Sequence, residues 1–153
     1  MPSLAAGFPL SPFPFSFFLF PLSRMKMRTL WWSLGFLLIA LITALSLLPI
    51  RGPDLDIPSG DKLNHALAYI VLTLYFGQLV GTAVRRRLLV IAALIAYGVT
   101  IELLQSMLPP RTAELADLGA NLVGMAIGWG LLGSPLGRVL IRIESRLTRG
   151  SSL

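Results

Sequence analysis

Residues 30–48 read LWWSLGFLLIALITALSLL, without one charged side chain. As a helix, at about 1.5 Å of rise per residue, this run is about 28 Å long, close to the thickness of a bilayer's hydrocarbon core. Backbone in lipid must satisfy its own hydrogen bonds, which confines such a run to helix. Two further apolar runs follow, 61–84 and 88–108, then a shorter glycine-rich one, 117–132. Pro49, Gly52-Pro53 and Pro109-Pro110 separate them, and proline cannot continue a helix. The expected fold is all-α, a polytopic membrane protein built as a four-helix transmembrane bundle with spans 30–48, 64–84, 88–108 and 117–132. Composition agrees. Mean hydropathy is +0.77 and only 13% of residues are charged, against about 25% in an average soluble domain. The absence of cysteine excludes disulfides, thiolate catalysis and Cys-ligated metals.

Three regions are expected: a Pro- and Phe-rich segment 1–24, the membrane domain 25–133, and a basic cytoplasmic tail 134–153. In the first, Pro2, Pro9, Pro12, Pro14 and Pro21 leave no uninterrupted apolar run long enough to span. Met25 and Met27 each open a more ordinary start, MKMRTLWW, so 1–24 reads as a mis-called start or a disordered or interfacial tail. In the tail, Arg138, Arg142, Arg146 and Arg149 step by three and four. That spacing puts them on one helix face, as either an interfacial amphipathic helix or a solvated basic tail. Trp31 and Trp32 are expected in an interfacial aromatic belt.

The net charge of +6 raises the question of nucleic acid. Its distribution answers it, and no nucleic-acid partner is expected. Ten of the 13 Lys and Arg residues fall before 30–48, at Arg85-Arg86-Arg87 or in the tail. They flank apolar segments, as membrane topology requires, and put both termini in the cytoplasm. The remaining loops then face outward and carry Arg51, Lys62, Arg111 and six of the seven acidic residues.

This orientation brings polar residues from three segments to one depth. Asp61, Lys62 and His65 open the second span, Glu102 and Gln105 close the third, and Asp117 and Asn121 open the fourth. Asp61, His65 and Tyr69 step by four and share a helix face, as do Asp117, Asn121, Gly124 and Gly128. Gly124 and Gly128 form a G-x-x-x-G, which lets a neighbouring helix approach closely and turns the fourth span toward the bundle. Ionisable residues inside a membrane segment are costly and mark a functional site by default.

The order D-K-x-x-H-x-x-x-Y, E-x-x-Q, R, D-x-x-x-N-x-x-G-x-x-x-G resembles the VanZ family of small bacterial integral membrane proteins, over about residues 30–132. Matched in turn, it picks out Asp61, Lys62, His65, Tyr69, Glu102, Gln105, Arg111, Asp117, Asn121, Gly124 and Gly128. Ala113 and Glu114 depart from the small polar residue expected beside the arginine. The family's namesake is linked to resistance to teicoplanin, a lipoglycopeptide. The resemblance implies a multi-pass protein of the bacterial inner (cytoplasmic) membrane. Its expected partners are membrane lipids and lipid-linked cell-wall precursor or glycopeptide at the outer face, with oligomers allowed. It brings no settled activity.

Three readings of the cluster stay open. His65, the single histidine, exchanges protons near neutral pH, and Glu102 or Asp117 could orient it for catalysis. Asp61, Lys62, Tyr69, Gln105, Arg111 and Asn121 would then bind the ligand, with Lys62 or Arg111 holding an anion such as a lipid pyrophosphate. The same groups could be a pure binding site. They could also be interhelical glue, with Gly124 and Gly128 as packing residues. A metal reading needs His65 with Glu102, Asp117 and Asp61. Oxygen-rich Mg or Ca sites need no histidine, so no metal or cofactor is expected. Ser106 and Thr112 are hydroxyls without motif context, and nothing resembles a P-loop, a dinucleotide fold or a zinc protease.

Overall fold

A computed structural model describes residues 27–48, 60–108 and 114–150, and every regular element among them is helical. The elements are α1 (Arg28–Leu47), α2 (Gly60–Leu79), α3 (Val84–Ser106), α4 (Leu115–Leu131), a 3-10 turn (Pro135–Arg138) and α5 (Val139–Gly150). The N-terminal segment 1–24, the loop 50–59, Pro109-Pro110, Arg111, Thr112 and the side chain of Asp61 lie outside the described residues.

Cross-helix hydrogen bonds fix an up-and-down order. At one end Tyr75 Oη of α2 donates to the Trp31 carbonyl near the start of α1, at 2.6 Å. At the other, Gln105 Nε2 near the end of α3 donates to the Ser46 carbonyl near the end of α1, at 2.9 Å. Between them Thr43 of α1 and Tyr97 of α3 share a hydroxyl–hydroxyl bond of 2.9 Å.

The distribution of side chains is inverted relative to a soluble domain. Phe36, Leu37, Leu41, Leu88, Leu103, Leu122 and Val123 face outward, while Thr73, Gln78, Glu102, Gln105, Asp117, Asn121 and Glu144 are buried. Water would penalise so large an apolar exterior, whereas lipid favours it. Among the described residues two helices are long and apolar enough to cross a membrane, α1 and α3. A third crossing is available if α4 and the following helix, bent by 72° at their junction, act together. Helix α2 has the length, but Lys62, Asn64, His65 and Gln78 interrupt its apolar run. It is also the hub of the bundle, packed against α1, α3 and most extensively α4. The long helix whose apolar run is broken by polar residues is therefore the one most enclosed by its neighbours.

The α2–α4 seam is close because α4 presents glycine to it. A Cβ on Gly124 would collide with the Ala66 carbonyl oxygen and lie 3.0 Å from Tyr69 Cβ. One on Gly128 would lie 2.8 Å from Thr73 Cβ and 2.9 Å from the Ile70 carbonyl oxygen. Below this seam Trp31, Leu72, Phe76, Leu79, Leu94, Met125 and Leu140 pack into one apolar core.

Two boundaries differ from the sequence reading. Helix α2 stops at Leu79, not Val84, because Gly81 takes φ 79° and turns the chain. Arg85-Arg86-Arg87 then lie in the first turn of α3 rather than in a loop, and Arg87 Nε donates to the Gly81 carbonyl at 2.8 Å.

The C-terminal segment is a docked element as well as a basic one. Gln78 Oε1 accepts the Leu140 amide at 3.0 Å, satisfying a donor that helix α5 cannot pair internally in its first turn. Glu144, exposed to 4%, accepts from Trp31 Nε1 at 2.8 Å and from the Met27 amide at 3.2 Å. Trp31 is consequently buried beneath α5. Trp32 tilts against Phe36 and Phe76 at centroid distances of 6.0 and 5.9 Å. Arg138, Arg142, Arg146 and Arg149 remain exposed.

Candidate functional site

The polar cluster forms where the start of α2, the end of α3 and the start of α4 meet. Each helix contributes one face. On α3 the buried residues Leu94, Gly98, Ile101, Glu102 and Gln105 recur at three and four, and on α4 Asp117, Asn121, Gly124 and Gly128 do the same. The close α2–α4 approach set by Gly124 brings His65 against Asn121, with His65 Nδ1 3.2 Å from Asn121 Oδ1.

His65, Glu102 and Asp117 each offer one nitrogen or oxygen, and these atoms all lie within 4.8 Å of one another. Glu102 and Asp117 are exposed to only 5% and 6%. Glu102 Oε2 also accepts the Glu114 amide at 3.3 Å, steadying the entry to α4. Lys62 sits at the rim with 39% of its side chain exposed, 2.9 Å from Glu114 Oε2 and 3.9 Å from Asp117 Oδ1. One cation is thus divided between two carboxylates.

Tyr69 lies one layer deeper. A Cβ on Gly98 would stand 2.7 Å from Tyr69 Oη and 3.1 Å from Asn121 Nδ2, so the absent side chain of Gly98 makes room for both groups. Tyr69 is exposed to 3%, and its hydroxyl has no hydrogen-bond partner among the described residues. Its ring packs against Tyr97 at a centroid distance of 6.2 Å.

Of the residues expected from sequence, Lys62, His65, Glu102, Asp117 and Asn121 converge and Tyr69 adjoins them. Gln105 turns instead to the Ser46 carbonyl and ties α3 to α1. Gly124 and Gly128 lie in the seam with α2. Asp61 belongs to the first turn of α2, its side chain outside the described residues, as is Arg111. Ser106 donates to the Leu103 carbonyl of its own helix at 2.7 Å, away from the cluster.

Sequence reasoning passed over Glu114 and Gly98. Glu114 was legible only as a departure from the family pattern, yet it is the carboxylate that holds Lys62. Gly98 precedes Glu102 by four residues and so shares its face, a spacing that could have flagged it.

Chemically, the cluster offers an imidazole and two buried carboxylates for proton transfer or cation binding, with an ammonium at the rim for an anion. Comparison with known proteins agrees with this region's prominence. A curated relative, an uncharacterized protein C11E3.10 of Schizosaccharomyces pombe, is 34% identical over 77 residues, 49% of this chain and 48% of that protein. The chain thus spans about half the length of the curated relative it matches. That relative comes from a fission yeast, so the likeness does not tie this chain to a bacterial envelope. No solved structure matches the chain. The VanZ/LLP1 family matches residues 57–136, just over half of the 153, which takes in α2, α3, α4 and the whole cluster and leaves α1 and α5 outside. The chain belongs to the VanZ/LLP1 family of proteins.

Proposed function

We propose that this membrane protein binds, and acts on, the anionic headgroup of a lipid-linked substrate at the cluster end of the bundle. In this reading α2 and α4 complete a four-span bundle with both termini cytoplasmic, and the cluster faces the outer leaflet. Supporting that orientation, Arg28, the three arginines opening α3 and those of α5 gather at the opposite end. The observation that carries the proposal is the convergence of His65, Glu102 and Asp117 within 4.8 Å from three helices, with both carboxylates buried. Intramembrane ionisable groups are retained chiefly for function. Lys62 at the rim supplies a first contact for phosphate oxygens.

A second reading is favoured by a specific observation. The His65–Asn121 and Glu114–Glu102 hydrogen bonds both join separate elements, as interhelical locks do. Thermal melting of the full chain in detergent separates the two. Farnesyl pyrophosphate, with farnesol and teicoplanin as comparison probes, is expected to raise the parent's melting temperature by several degrees. Lys62→Gln and His65→Ala should keep the parental melting temperature and lose that shift. If both variants melt several degrees lower and no probe shifts the parent, the cluster is a lock. A shift with teicoplanin alone would transfer the site to glycopeptide.

A further inference from the structure

We infer that His65, Glu102 and Asp117 form a binding site for a divalent transition-metal cation, through one imidazole nitrogen and two carboxylate oxygens. The inference deepens the proposed function, since a cation here would let an acidic cluster receive an anionic headgroup, but it rests on its own geometry.

The first support is the ligand set. The three donor atoms lie within 4.8 Å of one another, so a small inward shift of the side chains would let one ion bridge them. Two carboxylates with one imidazole suit Mn²⁺ or Zn²⁺ better than a purely oxygen-seeking ion. Three protein ligands leave coordination positions open for a substrate's oxygens, as catalytic metal sites do.

The second is the orientation of His65. Asn121 Oδ1 is an amide oxygen and can only accept, so the 3.2 Å contact places a proton on His65 Nδ1. With that proton in place a neutral ring would carry its lone pair on Nε2, which would then be the nitrogen offered to a metal. Metal-ligating histidines are held in this way by a neighbouring oxygen acceptor. Tyr69 Oη, buried and without a hydrogen-bond partner among the described residues, lies beside the same Asn121 amide. It provides a further polar group beside the cluster.

The third is charge. Among the described residues the cluster holds Glu102, Glu114 and Asp117 against Lys62, an excess of two negative charges when His65 is neutral. A divalent cation would cancel that excess.

The test is a Mn²⁺ titration of the EDTA-stripped full chain in detergent, read by electron paramagnetic resonance. The parent should bind one equivalent, with nitrogen modulation from a single imidazole, and Zn²⁺ should displace it. His65→Gln should abolish the nitrogen modulation. Glu102→Gln and Asp117→Asn, which keep side-chain shape, should weaken binding at least as much as loss of the supporting Asn121, which is worth about 10- to 100-fold. Absence of a saturable site in the parent would overturn the inference. So would binding that persists, nitrogen modulation included, in His65→Gln. Helicity and gel filtration identify any variant that fails to fold, and the parent and the remaining isosteric variant then decide. A parallel farnesyl pyrophosphate titration with Mn²⁺ or EDTA keeps the two ideas separate. Mn²⁺ binding without pyrophosphate binding retains the metal site and removes the lipid reading. EDTA-insensitive pyrophosphate binding without a Mn²⁺ site does the reverse.

Discussion

The two ends of the bundle both bury carboxylates, and they use them differently. At the basic end Glu144 accepts on both oxygens, from Trp31 Nε1 and the Met27 amide. It clasps α5 to the start of α1, and Gln78 secures the same helix by its Leu140 amide. At the other end Glu102 and Asp117 converge with His65, and the neighbouring cation Lys62 is shared with Glu114. A carboxylate placed between donors is a fastener. Two carboxylates that converge on each other and on a histidine, with one shared lysine at the rim, form a cluster of potential ligands instead. Burial alone does not distinguish a fastener from a site; the partners do.

The seam that supports both ends should be the most sensitive. Gly124→Leu must push against the Ala66 carbonyl, a backbone atom that cannot step aside. Overpacking of this kind costs about 1–3 kcal/mol or more. It should separate α2 from α4 and degrade clasp and cluster together, read as a large fall in melting temperature. A parental melting temperature would mean the seam is looser than described.

Next, Glu144→Ala leaves the Trp31 and Met27 donors without their charged acceptor. Hydrogen bonds to charged groups are worth about 1.5–3 kcal/mol, and the loss should appear in thermal melts and in easier proteolysis of the C-terminal segment. Unchanged proteolysis would show that α5 is held by something other than the clasp.

Glu102→Gln should be milder in stability, about 1 kcal/mol or less and of either sign, since it removes one of two neighbouring buried charges. The carbonyl of the new side chain can still accept the Glu114 amide. Its effect should fall on ligand and metal binding instead. The smallest change expected is from Tyr69→Phe, which removes a buried hydroxyl with no described partner. Its stability should stay within about 0.5 kcal/mol of the parent, and a larger loss would reveal a bond that the geometry does not contain.

The polar cluster was legible because helical spacing is strict. Residues three or four apart share a face whatever surrounds them, so Asp117 and Asn121, or Glu102 and Gln105, could be paired before any fold was known. The glycines could be read for the same reason. The clasp was not legible, because the sequence holds nothing to tell a lone Glu144 that its partner is Trp31, 113 positions away. The reach of Gln105 was hidden for a related reason. It shares a face with Glu102, but its long side chain reaches past the cluster to α1. The start of α3 was hidden by conflicting signals. Three arginines oppose the helix dipole at an N-terminus, yet arginine is a good helix former and can snorkel out of lipid. Gly81, with its positive φ, settled where the turn lies.

The most direct test of the contrast is to melt Glu102→Gln and Glu144→Gln side by side, as full chains in the same detergent. Glutamine can accept on only one terminal atom, so at Glu144 it must turn an NH₂ toward one of two donors. A fall of several degrees is expected for Glu144→Gln, and a smaller change, of either sign, for Glu102→Gln. If Glu102→Gln melts as low as Glu144→Gln, both ends are fasteners, and the cluster is no site.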